Sequence, residues 1–148
     1  MILGHIASDD LSPTTAPADS ILVSEFVVAK QCLISKLSAF LDGDGTANGD
    51  QAYRAVIYDS NGDLLAESPE VVVGDLSEPA WVDFVFHRPV SINADSYIFG
   101  LHTGPVADAS QFYGSGDGTN AALISEPYEN GAPSVSYTHL TLPTKRIV

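Results

Sequence analysis

From Ser20 onward, short apolar runs alternate with clusters of Gly, Asp, Asn and Pro, and no stretch keeps a helical period over three turns. The runs are ILVSEFVV (21–28), CLISKLSAFL (32–41), QAYRAVIYD (51–59), DLLAES (63–68), EVVV (70–73), AWVDFVFH (80–87), SYIFGLHT (96–103), SQFYG (110–114) and AALISE (121–126). Runs this short, rich in β-branched and aromatic residues and bounded by turn residues, predict an all-β antiparallel sandwich. Alternation assigns the faces. In AWVDFVFH, Val82, Phe84 and Phe86 form an apolar face, while Trp81, Asp83, Val85 and His87 form a mixed one. In QAYRAVIYD both faces are partly apolar, with Tyr53, Ala55 and Ile57 opposing Arg54, Val56 and Tyr58, which predicts a central strand. In SYIFGLHT, Tyr97, Phe99 and Leu101 make the inward set, and Gly100 opposite them suits close approach of a neighbouring backbone.

The connections agree with this scheme. Asn61 and Gly62 in YDSNGDLL both tolerate positive φ and stand between two apolar runs, a hairpin signal. LDGDGTANGDQ (41–51) reads as a longer, flexible loop. Turns this short join strands only in antiparallel fashion. The first nineteen residues, ending SDDLSPTTAPAD, carry no core-forming pattern and read as a flexible arm or linker, so the sandwich domain is expected over residues 20–134.

Charge narrows the partners. Nineteen acidic residues against six basic ones give a net charge of −13 and an isoelectric point near 4.2, a surface that repels nucleic acid phosphates and anionic membranes. No run of eighteen apolar residues exists to insert into a bilayer. The N-terminus MILGHIASDD lacks the basic and sustained apolar regions of a signal peptide. The single cysteine, Cys32, sits in an apolar run and is expected to pack as a small hydrophobe.

The stretches ILVSEF, SKLSAFLDG, RAVIYDSNGDLLAESPEVVV, WVDFVFHRPVSI and SYIFGLHTG, taken in order over residues 20 to 114, resemble a jelly-roll-like sandwich module of bacterial and bacteriophage surface proteins. The resemblance implies a carbohydrate-binding or galactose-binding-like sandwich on an extracellular or virion surface, and it implies one more closing strand near the C-terminus. In that place stands VSYTHLTLPTKRIV (135–148). One allowed coding of its first ten residues, GTC TCT TAT ACA CAT CTG ACG CTG CCG ACG, resembles a transposon adapter used in sequencing libraries. Val135 to Val148 is therefore expected to be a non-native, adapter-derived tail, with the closing strand lost. Without Lys145 and Arg146, four basic residues stand against nineteen acidic ones.

Calcium favours acidic, Gly-rich loops, and DGDGTANGD offers Asp42, Asp44, Asn48 and Asp50 as oxygen ligands, although the spacing fits no fixed template. DSNGDLLAESPE spaces Asp59, Asn61, Asp63 and Glu70 as in a calcium loop, but Leu64 stands where the sharp turn needs Gly, so a hairpin is expected instead. Sugar binding uses aromatic faces beside polar groups that fix hydroxyls, and the candidates are Trp81 and Asp83, with Tyr58, Arg54, His102 and Tyr113. Catalysis has no support in motif: neither a G-x-S-x-G elbow nor an H-E-x-x-H helix is present. The expectation is a non-catalytic accessory module binding carbohydrate or another surface ligand, with no obligate cofactor. The alternative is a spacer or decoration domain that contacts other protein subunits.

Overall fold

In the computed structural model, which describes residues 12–15, 17–42, 51–73, 79–106, 111–114 and 121–131, the chain reverses at Asn61–Gly62 as the turn chemistry requires. Gly62 takes a φ of 90°, and one carboxylate oxygen of Asp59 accepts the N–H groups of both Asn61 (2.9 Å) and Asp63 (3.0 Å). An Asx turn of this kind satisfies loop donors that would otherwise need water. It joins β4 (Gln51–Asp59) to β5 (Leu64–Glu67), the expected hairpin.

The remaining strands among the described residues are β1 (Ser12–Thr15), β2 (Ser20–Val28), β3 (Cys32–Asp42), β6 (Val71–Val73), β7 (Ala80–Ile92), β8 (Asp95–Thr103), β9 (Gln111–Gly114) and β10 (Ala121–Ser125). They build two sheets. One has four strands in the order β1-β9-β3-β7. The other has six, in the order β10-β2-β8-β4-β5, with β6 also on β4. Every pairing is antiparallel. From β2 to β4, and again from β7 to β10, each successive strand crosses to the other sheet, the wiring of a jelly-roll-like sandwich.

Alternation explains the core. Tyr53, Ala55 and Ile57 of β4, Tyr97 and Phe99 of β8, Phe84 and Phe86 of β7 and Leu41 of β3 pack in one buried cluster between the sheets. Cys32 is half-buried and packs against the same cluster. The opposite face of the six-stranded sheet is apolar too. Ile21, Val23, Val56, Tyr58, Ile98 and Ile124 form a second buried cluster there, so β4 is central and dry on both sides. Gly100 of β8 faces this second layer, opposite Val23 and Val56. A Cβ at Gly100 would come 2.5 Å from the Leu22 carbonyl oxygen and 2.7 Å from Val23 Cγ1. Because the first of these is backbone in a neighbouring strand, Gly100→Ala should destabilise the fold by about 1–3 kcal/mol, read as a fall in urea midpoint.

Two expectations are corrected. Residues 12–15, assigned to a flexible arm, form β1 and pair with β9 through Pro13↔Tyr113 and its neighbours. The following turn is tied down as well. Asp19 N–H donates to Gly104 O (2.9 Å), Ser20 N–H to Thr103 Oγ1 (3.1 Å), and Thr103 Oγ1 in turn to Pro17 O (2.5 Å). Backbone pairing needs no apolar pattern, so a Pro- and Thr-containing stretch can hold a strand position at a sheet edge. The second correction is β7, expected to stop at His87 before Arg88 and Pro89, which instead runs on to Ile92. Between the pairs Lys36↔Val85 and Ile34↔Val90, β3 advances two residues and β7 five. The extra residues loop out as a β-bulge, where Pro89 needs no ladder donor. The expected adapter-derived tail, 135–148, and with it the expected loss of a closing strand, lie outside the described residues.

Candidate functional site

The outer face of the four-stranded sheet follows from the register of β3 on β7. Leu37 and Phe84 pair and turn into the core, so the pairs on either side, Ser38↔Asp83 and Lys36↔Val85, turn outward, followed by Phe40↔Trp81. This gives three successive rows. Trp81, 40% exposed, meets Phe40 edge-to-face with ring centroids 5.3 Å apart. Next to them, Asp83 accepts hydrogen bonds from Lys36 Nζ (2.7 Å) and Ser38 Oγ (2.5 Å). Then comes Val85, 57% exposed.

The polar row is preset electrostatically. The hydrogen bond from Lys36, then that from Ser38, hold the Asp83 carboxyl below the usual carboxylate range. A carboxylate so stabilised is a poor proton acceptor, so Ser38 is fixed in place by Asp83 and not activated by it. The Asp83 and Lys36 side chains are about half exposed, and the pair stays accessible to a ligand's hydroxyl groups. Trp81 and Asp83 were both legible as members of one mixed face. Phe40, Lys36 and Ser38 were not, because the register that sets them beside Trp81 and Asp83 depends on long-range pairing.

The other sugar-binding candidates are elsewhere. Arg54, Tyr58 and His102 share the outer face of the six-stranded sheet, through Arg54↔His102 and Tyr58↔Ile98, and so stand on the opposite side of the sandwich from Trp81. Tyr58 and His102 are fully buried, which corrects the expectation that they reach the surface. His102 is covered by Tyr128, whose ring meets it at 5.2 Å, and its Nε2 is 2.9 Å from Glu126 O. The Arg54 guanidinium lies 4.4 Å above the Tyr128 ring and 4.0 Å from Glu70, which also accepts the Tyr128 hydroxyl at 2.9 Å. Asp19 secures the same segment by accepting Tyr128 N–H on its carboxylate (2.9 Å) and Glu126 N–H on its carbonyl (2.9 Å). These contacts fasten residues 126–131 over the sheet, so Arg54 and His102 serve packing there. Tyr128, Glu70 and Asp19 carried no local signal for this role, since each is far in sequence from the strand it touches.

Tyr113 lies on β9, in the same sheet as Trp81, with its backbone opposite Pro13. Of the calcium candidates, Asp42 ends β3 and is half-buried, opposite Gln111, while Asp44, Asn48 and Asp50 lie outside the described residues. Among the described residues no group of three or more His, Cys, Asp or Glu side chains is arranged to hold a metal ion, and no helix is long and apolar enough to cross a membrane. No protein-family model and no curated protein sequence matches the chain.

Proposed function

We propose that the chain is a non-catalytic accessory module of an extracellular or virion surface protein, and that it binds carbohydrate on the outer face of its four-stranded sheet. The observation that carries this reading is the exposed Trp81, packed edge-to-face on the half-buried Phe40, immediately beside the Lys36–Asp83–Ser38 cluster. An aromatic surface suits the apolar face of a sugar ring, and a fixed donor–acceptor cluster one row away suits its hydroxyls. Stacking on an open sheet face needs neither an enclosed pocket nor a cofactor. The second reading, a structural domain contacting other protein subunits, draws on Val85 and Leu33, which are 57% and 69% exposed on outward positions of β7 and β3.

Trp81→Ala separates the two. On a glycan array followed by titration, the variant should lose glycan binding by at least about tenfold, a loss of about 1.4 kcal/mol or more, with an unchanged far-ultraviolet circular dichroism spectrum. Undiminished glycan binding would remove Trp81 from the site. A well-folded wild-type chain that binds no glycan would leave the protein-contact reading in its place.

A further inference from the structure

Among the described residues the two sheets end in β1 and β7 and in β10 and β5, and these four edges differ. β1, β5 and β10 are four, four and five residues long. Two of them carry a further block to strand addition, Pro13 in β1 and a bulge at Leu65 in β5, where Tyr58 pairs with Leu64 but Ile57 with Ala66. β7 has thirteen residues. Its alternation holds without a break from Ala80 to His87, with Val82, Phe84 and Phe86 turned in and Trp81, Asp83, Val85 and His87 turned out. The features that spoil an edge, an outward-turned Arg88 and then Pro89, come only after that stretch. Every second residue from Ala80 to His87 therefore directs its backbone N–H and C=O away from β3, and no described strand takes them up.

Charge and register decide what can lie along this edge. A net charge of −13 opposes contact between copies, but β7 itself is neutral, with one Asp and one Arg, and Asp83 is already matched by Lys36 at 2.7 Å. Outward side chains must meet outward side chains, so an antiparallel copy of β7 is admitted only in every second register. A register centred on Asp83 sets two carboxylates directly opposite each other, a destabilising pair. One centred on Val85 runs Trp81 onto Pro89, inside the bulge. The register between them, centred on Phe84, avoids both. It sets Asp83 opposite Val85 of the second copy and Trp81 opposite its His87, with Val82 opposite Phe86 on the inner face. All positions from Trp81 to His87 then fall in the regular stretch.

We propose that β7 pairs with β7 of a second copy about a two-fold axis through Phe84, normal to the sheet, joining two four-stranded sheets into one of eight strands. Such an interface is isologous, the same residues serving on both sides, and it closes at the dimer. The axis leaves the Trp81 faces of both copies on one side of the joined sheet. The pairing rests on backbone and register, and does not depend on what those faces bind.

Sedimentation equilibrium of the full chain should show reversible monomer–dimer association that goes no further. Amide hydrogen exchange should slow with rising protein concentration at alternate residues between Trp81 and His87, and not on β1, β5 or β10. Two substitutions at the exposed Val85 separate this register from a merely adhesive edge. Val85→Asp puts a carboxylate opposite Asp83 of the second copy, twice by symmetry, and should weaken the dimer by about tenfold or more. Val85→Lys puts an ammonium there and should leave the dimer as tight as wild type or tighter. Both variants should keep the wild-type far-ultraviolet circular dichroism spectrum. A monomer at every concentration, assembly beyond the dimer, protection gained outside β7, or equal weakening by the two substitutions would overturn the proposal.

Discussion

Phe84→Ala should cost about 3–5 kcal/mol, against a total stability of about 5–15 kcal/mol for a domain of this kind. Phe84 is fully buried near the middle of β7 and faces the inter-sheet cluster that contains Tyr53, Ile57 and Phe99. Removing its ring takes away the transfer free energy of the aromatic group and leaves a cavity between two sheets, which hydrogen-bonded ladders cannot collapse to fill. Its neighbour provides the control. Val85 is 57% exposed on the other face, and Val85→Ala should change stability by less than about 0.5 kcal/mol. Urea denaturation distinguishes the two as a large midpoint shift for Phe84→Ala, at an unchanged m-value, and almost none for Val85→Ala. Similar effects at both positions would contradict the alternation on which the faces of β7 are assigned.

That pair of residues shows what was legible in the sequence. AWVDFVFH alternates cleanly because one face of its sheet packs on the core and the other faces water, so Phe84 inside and Trp81 outside could be read directly. Tyr58 was misjudged for the complementary reason. The middle of the six-stranded sheet is apolar and buried on both faces, and period two cannot tell an outward residue that meets solvent from one that meets a second layer. His102 was obscured in the same way, since the residue that covers it, Tyr128, is held in place by Asp19 and Glu70 from distant parts of the chain. β1 was missed because an edge strand stabilised by backbone pairing leaves little pattern in its side chains. The bulge was hidden by Pro89. A proline read as an end of strand is equally compatible with a strand that loops out and resumes, and only the register on β3 decides between them.

The second large effect is expected in alkali and comes from Tyr58 and Tyr128. Burial raises the Tyr58 phenol well above its ordinary value, and Glu67 and Glu126 add to the rise. Tyr128 is raised by burial first and then by its hydrogen bond to Glu70, with Arg54 acting in the opposite direction. A phenol that donates to a carboxylate loses that bond on ionising, and it places a second negative charge beside the first. Each group is therefore harder to deprotonate in the folded chain than in the unfolded one, where tyrosine titrates near pH 10. Below about pH 10 both states hold the protons and the full stability is present. Above it the unfolded state releases them while the folded state does not, so stability falls by about 1.4 kcal/mol per pH unit for each tyrosine, or about 2.7 for both. Denaturation midpoints between pH 9 and 12, with tyrosinate absorbance followed alongside, should show this fall and a burst of ionisation on unfolding. Tyr58→Phe should roughly halve the slope with little loss of stability at pH 7, because the Tyr58 hydroxyl is buried with no hydrogen-bond partner among the described residues. Tyr128→Phe should halve the slope as well, but at a cost of about 1.5–3 kcal/mol at pH 7, since it leaves Glu70 without its donor. A double variant with the wild-type slope would show that the alkaline transition belongs to other groups, and that the segment carrying Tyr128 does not exclude water from the sheet beneath it.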